Sequence, residues 1–108
     1  MEVYEKIMEW VKIFESHALK ENHPRLLMIR EKRICLVRTE GKILAVQNSC
    51  THNGGSLHLG TINYLGQVVC PLHQYQFDLK TGREVSQRSA DLECFPIREN
   101  EEGVFILI

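Results

Sequence analysis

Short runs of isoleucine, leucine and valine, each interrupted by charged residues or glycine, recur along most of the chain. Leu26 to Arg30, Arg33 to Arg38 and Ile43 to Gln47 are three of them, and Thr39-Glu40-Gly41 marks a turn after the second. These runs predict consecutive antiparallel strands. Thr61 to Leu65 and Gln67 to Cys70 flank Gly66 and predict a hairpin, and Tyr75 to Leu79 predicts a further strand ended by Lys80-Thr81-Gly82. Cys94 to Arg98 and Val104 to Ile108 predict a last hairpin around Asn100 to Gly103. Near the start, Val3, Ile7, Val11 and Phe14 recur at helical spacing, whereas Val11 and Ile13 alternate with polar neighbours. We read Trp10 to Phe14 as a strand with Trp10 as a core anchor, and the residues before it as a short extension of helical tendency. Many short strands at regular intervals predict an all-β fold, a small sandwich or barrel.

Composition narrows the choice. A chain of 108 residues, 44% hydrophobic and 25% charged, supports one core and therefore a single domain over residues 1–108. Its formal net charge of −1 offers no broad basic surface, which argues against nucleic acid as a partner. No apolar run is long enough to cross a bilayer, and Met1-Glu2-Val3-Tyr4-Glu5 carries acids where a signal peptide needs bases. The expectation is a soluble cytoplasmic protein with no membrane partner. It is also too short for an enzyme that pairs a cofactor domain with a substrate domain.

The chemistry lies in the cysteines and histidines. Cys50-Thr51-His52 and Cys70-Pro71-Leu72-His73 each place one thiolate donor and one imidazole donor at short spacing, in loops that follow predicted strands. In a reducing compartment such pairs read as metal ligands rather than as disulfides. Sulfur and imidazole together suit zinc or an iron–sulfur centre and disfavour calcium or magnesium. A zinc clip of the Cys2His2 kind usually groups its cysteines together and its histidines together. Here each loop holds one of each, which suits a pair of bridged irons better, with a zinc-clipped β domain as the rival reading.

At this level of detail the chain resembles the Rieske-type [2Fe–2S] ferredoxins. The resemblance is carried by Cys50-Thr51-His52-Asn53-Gly54-Gly55-Ser56-Leu57 and Cys70-Pro71-Leu72-His73, followed by Phe77-Asp78-Leu79 and Thr81-Gly82. It implies stacked antiparallel sheets with a cluster-binding subdomain at about residues 48–80. It also implies one [2Fe–2S] cluster, with Cys50 and Cys70 on one iron and His52 and His73 on the other. Neutral imidazoles leave two fewer negative charges than four thiolates would, so adding an electron costs less work. Rieske centres accordingly span about −150 to +300 mV, against about −400 mV for plant-type ferredoxins.

Departures from the high-potential branch of the family point to the lower part of that range. Gly55 and Leu72 stand where that branch has a disulfide, and Gln74, Tyr75 and Phe77 stand where it has Gly-Ser and a later tyrosine whose hydroxyls donate to sulfur. Gln74 replaces a small residue and is expected to affect the backbone beside His73 or to cover it. The function implied is a low-potential carrier of single electrons from a reductase to a terminal oxygenase, rather than an enzyme. The alternative is a small subunit of a larger oxidoreductase such as nitrite reductase. Docking is expected to be transient, on a tip formed by His52, His73, Leu57 and Leu72. Cys35 and Cys94 read as buried structural thiols, and His17, His23 and His58 as surface residues, with His58 near the first loop. Thr51, Asn53 and Ser56 read as turn residues.

Overall fold

One strand buried on both faces organises the molecule. In the computed structural model, which describes residues 8–108, β2 (Arg25–Ile29), β3 (Lys32–Thr39) and β4 (Lys42–Gln47) form an antiparallel ladder within a residue of the predicted runs, after β1 (Trp10–Phe14). Two-residue turns join them, Arg30-Glu31 and Glu40-Gly41, with positive φ at all four positions. That is the hand of turn that matches strand twist. The central residues of β3, Ile34-Cys35-Leu36-Val37, are all fully buried, and alternate side chains enter two different cores. Ile34 and Leu36 join Ile43, Ala45, Val104 and Ile106; Cys35 and Val37 join Val46, Leu57, Val68 and Phe77. A strand of period two sandwiched between layers produces this division.

The two outer layers are small sheets. On one side lies the sheet β1–β10–β9, where β9 is Ile97–Asn100 and β10 is Gly103–Leu107. The other is a meander of β5 (Thr61–Ile62), β6 (Gln67–Val69) and β7 (Gln76–Asp78). The run Cys94 to Arg98, predicted as one strand, is two. β8 (Cys94–Phe95) pairs with β4, and β9 pairs with β10 in another sheet. Pro96 stands between them, and with no N–H to donate it suits the point where the chain changes sheets.

Two expectations are corrected here. Trp10 is only half-buried, and its ring carries the Arg98 guanidinium at 4.2 Å rather than filling the core. Cys94 is exposed, because Phe95 takes the inward position of that two-residue strand. Cys35 does lie in the core, and burial pushes its thiol up to about 12. His58 and Leu57 also depart from expectation and are treated below. The extension read before Trp10 falls largely on residues 1–7, outside the described residues. Among the described residues, no helix is long and apolar enough to cross a membrane.

Arg38 ties the layers together. Its guanidinium donates to both carboxylate oxygens of Glu99 on β9, at 3.0 and 2.8 Å, and to the carbonyls of Ala18 and Leu19 in the loop after β1. The Arg38 hydrogen bonds, supported by the N–H of His17, hold the Glu99 carboxyl below its ordinary value despite the cost of burial. A depressed carboxyl stabilises the fold above its unfolded-state pKa, and that contribution disappears as pH falls through the folded-state value. Urea midpoints are therefore expected to fall in acid, below the usual glutamate range. Glu99→Gln should flatten that slope and cost about 2 kcal/mol at neutral pH. An unchanged acid slope in the variant would remove Glu99 from this role.

Candidate metal centre

Two loops meet beside the meander sheet. The first leaves β4 at Asn48, a buried side chain whose Oδ1 accepts the His58 N–H at 2.8 Å while its Nδ2 lies 3.0 Å from His58 Nδ1. His58 is thus a half-buried brace across the loop base rather than a solvated surface residue. Inside the loop, the Cys50 N–H donates to the Gly55 carbonyl at 2.8 Å and the Gly54 N–H to the Cys50 carbonyl at 2.7 Å. Asn53 Oδ1 accepts the Gly55 N–H at 3.1 Å, the turn role read for this residue. The second loop leaves β6 at Cys70, whose N–H donates to the Tyr75 carbonyl at 2.7 Å, and so closes between β6 and β7.

Contact between the loops depends on Gly55. A Cβ there would stand 3.1 Å from Cys70 Sγ and 3.2 Å from Leu72 Cδ1, closer than such contacts normally allow. His73 and Gln74 both adopt positive φ, at 64° and 55°, an unfavourable pair for residues with side chains. The expected effect of Gln74 is therefore on the backbone: it is exposed and shares the left-handed bend that turns His73 outward.

The four sequence-predicted residues are brought together as two pairs. Cys50 and Cys70 are both buried, and their thiols are neighbours. Burial pushes the Cys70 thiol up, and the neighbouring Cys50 thiol acts the same way, against the Leu72 N–H. A buried thiol raised in this way, as that of Cys70 is, ionises readily only beside a cation. His52 and His73 are both exposed, with ring centres 5.3 Å apart, and Asn53 Nδ2 lies 3.3 Å from His73 Nδ1. Sulfur donors lie inside and nitrogen donors outside. Among the described residues, no three His, Cys, Asp or Glu side chains are gathered closely enough to hold one metal ion.

Leu57 corrects the expected tip. It is 0% exposed, begins the 3-10 turn Leu57–Leu59, and donates its N–H to the Asn48 carbonyl at 2.8 Å. The turn rotates it into the core beside Val37 and Phe77, while Leu72 stays 50% exposed. Residues from outside the two boxes also reach the site. The His52 imidazole stacks on Tyr75 at 4.0 Å, and the Thr51 hydroxyl donates to the Ala90 carbonyl at 2.5 Å. Arg88 and the buried Glu84 stand behind Tyr75. Their sequence context, a polar stretch without periodicity, carries no signal for such a role.

Known proteins resemble this chain over most of its length. Residues 9–96 match the family model described as the Rieske [2Fe–2S] domain. The ferredoxin component of the naphthalene 1,2-dioxygenase system of Pseudomonas aeruginosa is 26% identical over 99 residues, covering 91% of this chain and 94% of its own. The ferredoxin of carbazole 1,9a-dioxygenase from Nocardioides aromaticivorans superimposes with a TM-score of 0.81 at 20% identity, covering 90% of this chain and 95% of its own. A candidate NADH-dependent nitrite reductase small subunit from Mycobacterium tuberculosis gives 0.82 at 19% identity, over 95% and 97% of the two chains. Layered antiparallel sheets, two facing loops with a sulfur and an imidazole donor each, and a family match over most of the chain converge on one assignment: this protein is a member of the Rieske [2Fe–2S] family.

Proposed function

We propose that Cys50 and Cys70 hold one iron of a [2Fe–2S] cluster and His52 and His73 the other, in a cluster-binding unit of about residues 48–80 within a single domain. In this reading the protein carries single electrons from a reductase to a terminal oxygenase and is itself no enzyme. The carrying observation is the division of donors, a buried thiol pair beside an exposed imidazole pair. A zinc clip of the Cys2His2 kind usually groups its cysteines together and its histidines together, whereas here each loop carries one of each, which suits a two-metal group. When bound, the cluster supplies a one-electron couple at low potential. The chain's own residues do the rest. The buried thiols exclude water from the sulfur side, and the exposed imidazole edges give a redox partner its shortest approach.

His52, His73 and Leu72 form the docking tip, without Leu57. A half-exposed leucine among exposed ligands suits short-lived encounters. The dioxygenase-system relative supports an oxygenase as acceptor, and the nitrite reductase likeness supports the fold alone. Cysteines that serve as iron ligands rather than as disulfides fit a reducing compartment, so we place the protein in the cytoplasm.

The test is iron and acid-labile sulfide analysis with an EPR spectrum of the dithionite-reduced protein, followed by transfer kinetics of Leu72→Asp. Equal iron and sulfide with a Rieske-type signal is expected, and Leu72→Asp should slow transfer roughly tenfold with an unchanged visible spectrum. A colourless protein holding zinc overturns the ligand assignment. Unaltered transfer removes Leu72 from the tip.

A further inference from the structure

Tyr75 stands between two unlike neighbours. Its ring lies 4.0 Å from the His52 imidazole with only 12° between the planes, and the Arg88 guanidinium carbon lies 3.9 Å from its centre. Two groups so close to one ring centre fit on opposite faces, giving a stack of guanidinium, phenol and imidazole. The Arg88 side chain is half-exposed, so its placement needs a cause. That cause is Glu84, whose fully buried carboxylate accepts Arg88 Nε at 3.2 Å, the Arg88 N–H at 3.1 Å and the Ser86 N–H at 2.8 Å. Burial alone would raise the Glu84 carboxyl. The two backbone N–H groups and the guanidinium outweigh it and hold the group below its ordinary value. Glu84 is therefore a fixed anion in the core, and Arg88 is its cation. The same segment touches the first loop again through Thr51, which lies 3.0 Å from Ser89 Oγ and donates to Ala90.

We propose that Arg88, anchored by Glu84, is a positioning residue that holds Tyr75 against His52 and keeps a positive charge beside the imidazole end of the redox centre. This rests on the ligand assignment above. A cation over one face of the phenol is attracted to its π system, which fixes the ring that His52 leans on. The same charge favours the electron-rich, reduced state. Its effect is limited by distance and by Glu84, so it should change the reduction equilibrium by about one order of magnitude.

The experiment compares the cluster-loaded parent with Arg88→Met, which keeps length and ring coverage, and Arg88→Lys, which keeps the cation. Redox titration and the EPR line shape of the reduced protein are the readouts. Arg88→Met should lower the reduction constant about tenfold, about 59 mV for one electron, and alter the line shape. Arg88→Lys should stay within about twofold of the parent. The proposal falls if Arg88→Met matches the parent in both readouts. It also falls if Arg88→Lys drops as far as Arg88→Met, since the cation would then be irrelevant. Should Arg88→Met fail to retain the cluster, Arg88→Gln is measured against the same criteria. A parent without labile sulfide overturns the ligand assignment and this proposal together, whereas a loaded parent indifferent to position 88 overturns this proposal alone.

Discussion

Cys70→Ala is expected to yield a folded protein that keeps roughly a tenth or less of the parent's labile sulfide and visible absorption, while Cys35→Ala keeps both. The two thiols are equally buried, at 0% exposure, so burial alone predicts the same outcome for each. Their neighbours differ. Cys70 Sγ faces the Cys50 thiol and sits against Gly55 at the meeting of the two loops, whereas Cys35 lies on β3 among side chains of the core. Loss of a residue that merely supports a metal ligand costs ten- to a hundredfold in affinity, and loss of a ligand costs more. Removing the Cys35 sulfur leaves only a small cavity, for about 1 kcal/mol. Iron and sulfide content per chain, measured on both variants purified in parallel, decides. Full sulfide retention by Cys70→Ala would falsify the assignment of this cysteine.

Gly82→Ala should be strongly damaging to the scaffold. Gly82 has φ +79°, and its added Cβ would stand 2.2 Å from the Leu92 carbonyl oxygen, a backbone atom that cannot swing aside. The Leu92 N–H donates to the Gly82 carbonyl at 2.7 Å, so separating the two segments also breaks that bond. Left-handed strain of about 1–2 kcal/mol, plus a lost hydrogen bond of about 1 kcal/mol and displaced packing, gives roughly 4 kcal/mol. This is a large share of the total stability of about 5–15 kcal/mol expected for one domain. Gly41 supplies the control. It has nearly the same φ, +80°, with nothing within 4 Å of its would-be Cβ. Gly41→Ala should cost only the conformational part, about 1 kcal/mol. Urea unfolding of the two variants measures the difference, and equal losses would mean that the approach of Leu92 carries no weight.

Strands β2 to β4 were legible because apolar runs bounded by turns are a local signal, and the ligand loops were legible because donor spacing is written into consecutive residues. What escaped depends on which way a side chain turns or on contacts distant in sequence. Leu57 follows a ligand loop and reads as exposed, yet a single 3-10 turn carries it inward. Cys94 and Phe95 are adjacent apolar residues, and only their pairing with β4 decides which one enters the core. Trp10 carries the bulk of a core residue, but an edge strand gives it a cation for a neighbour. Glu84 and Arg88 sit in a largely polar stretch without periodicity, which carries no local signal for burial. Burial of that carboxylate requires Ser86 and Arg88 to fold back around it.

The two-sided burial of β3 has a consequence for how this chain can change over evolutionary time. Because odd and even positions serve different compartments, inserting or deleting one residue there would trade the contents of both at once. Point substitution remains open to that strand, but a change of length does not. Lineages of this protein should therefore vary in size at the turn between Asn100 and Gly103, where the chain faces solvent, and keep the central rung at constant count.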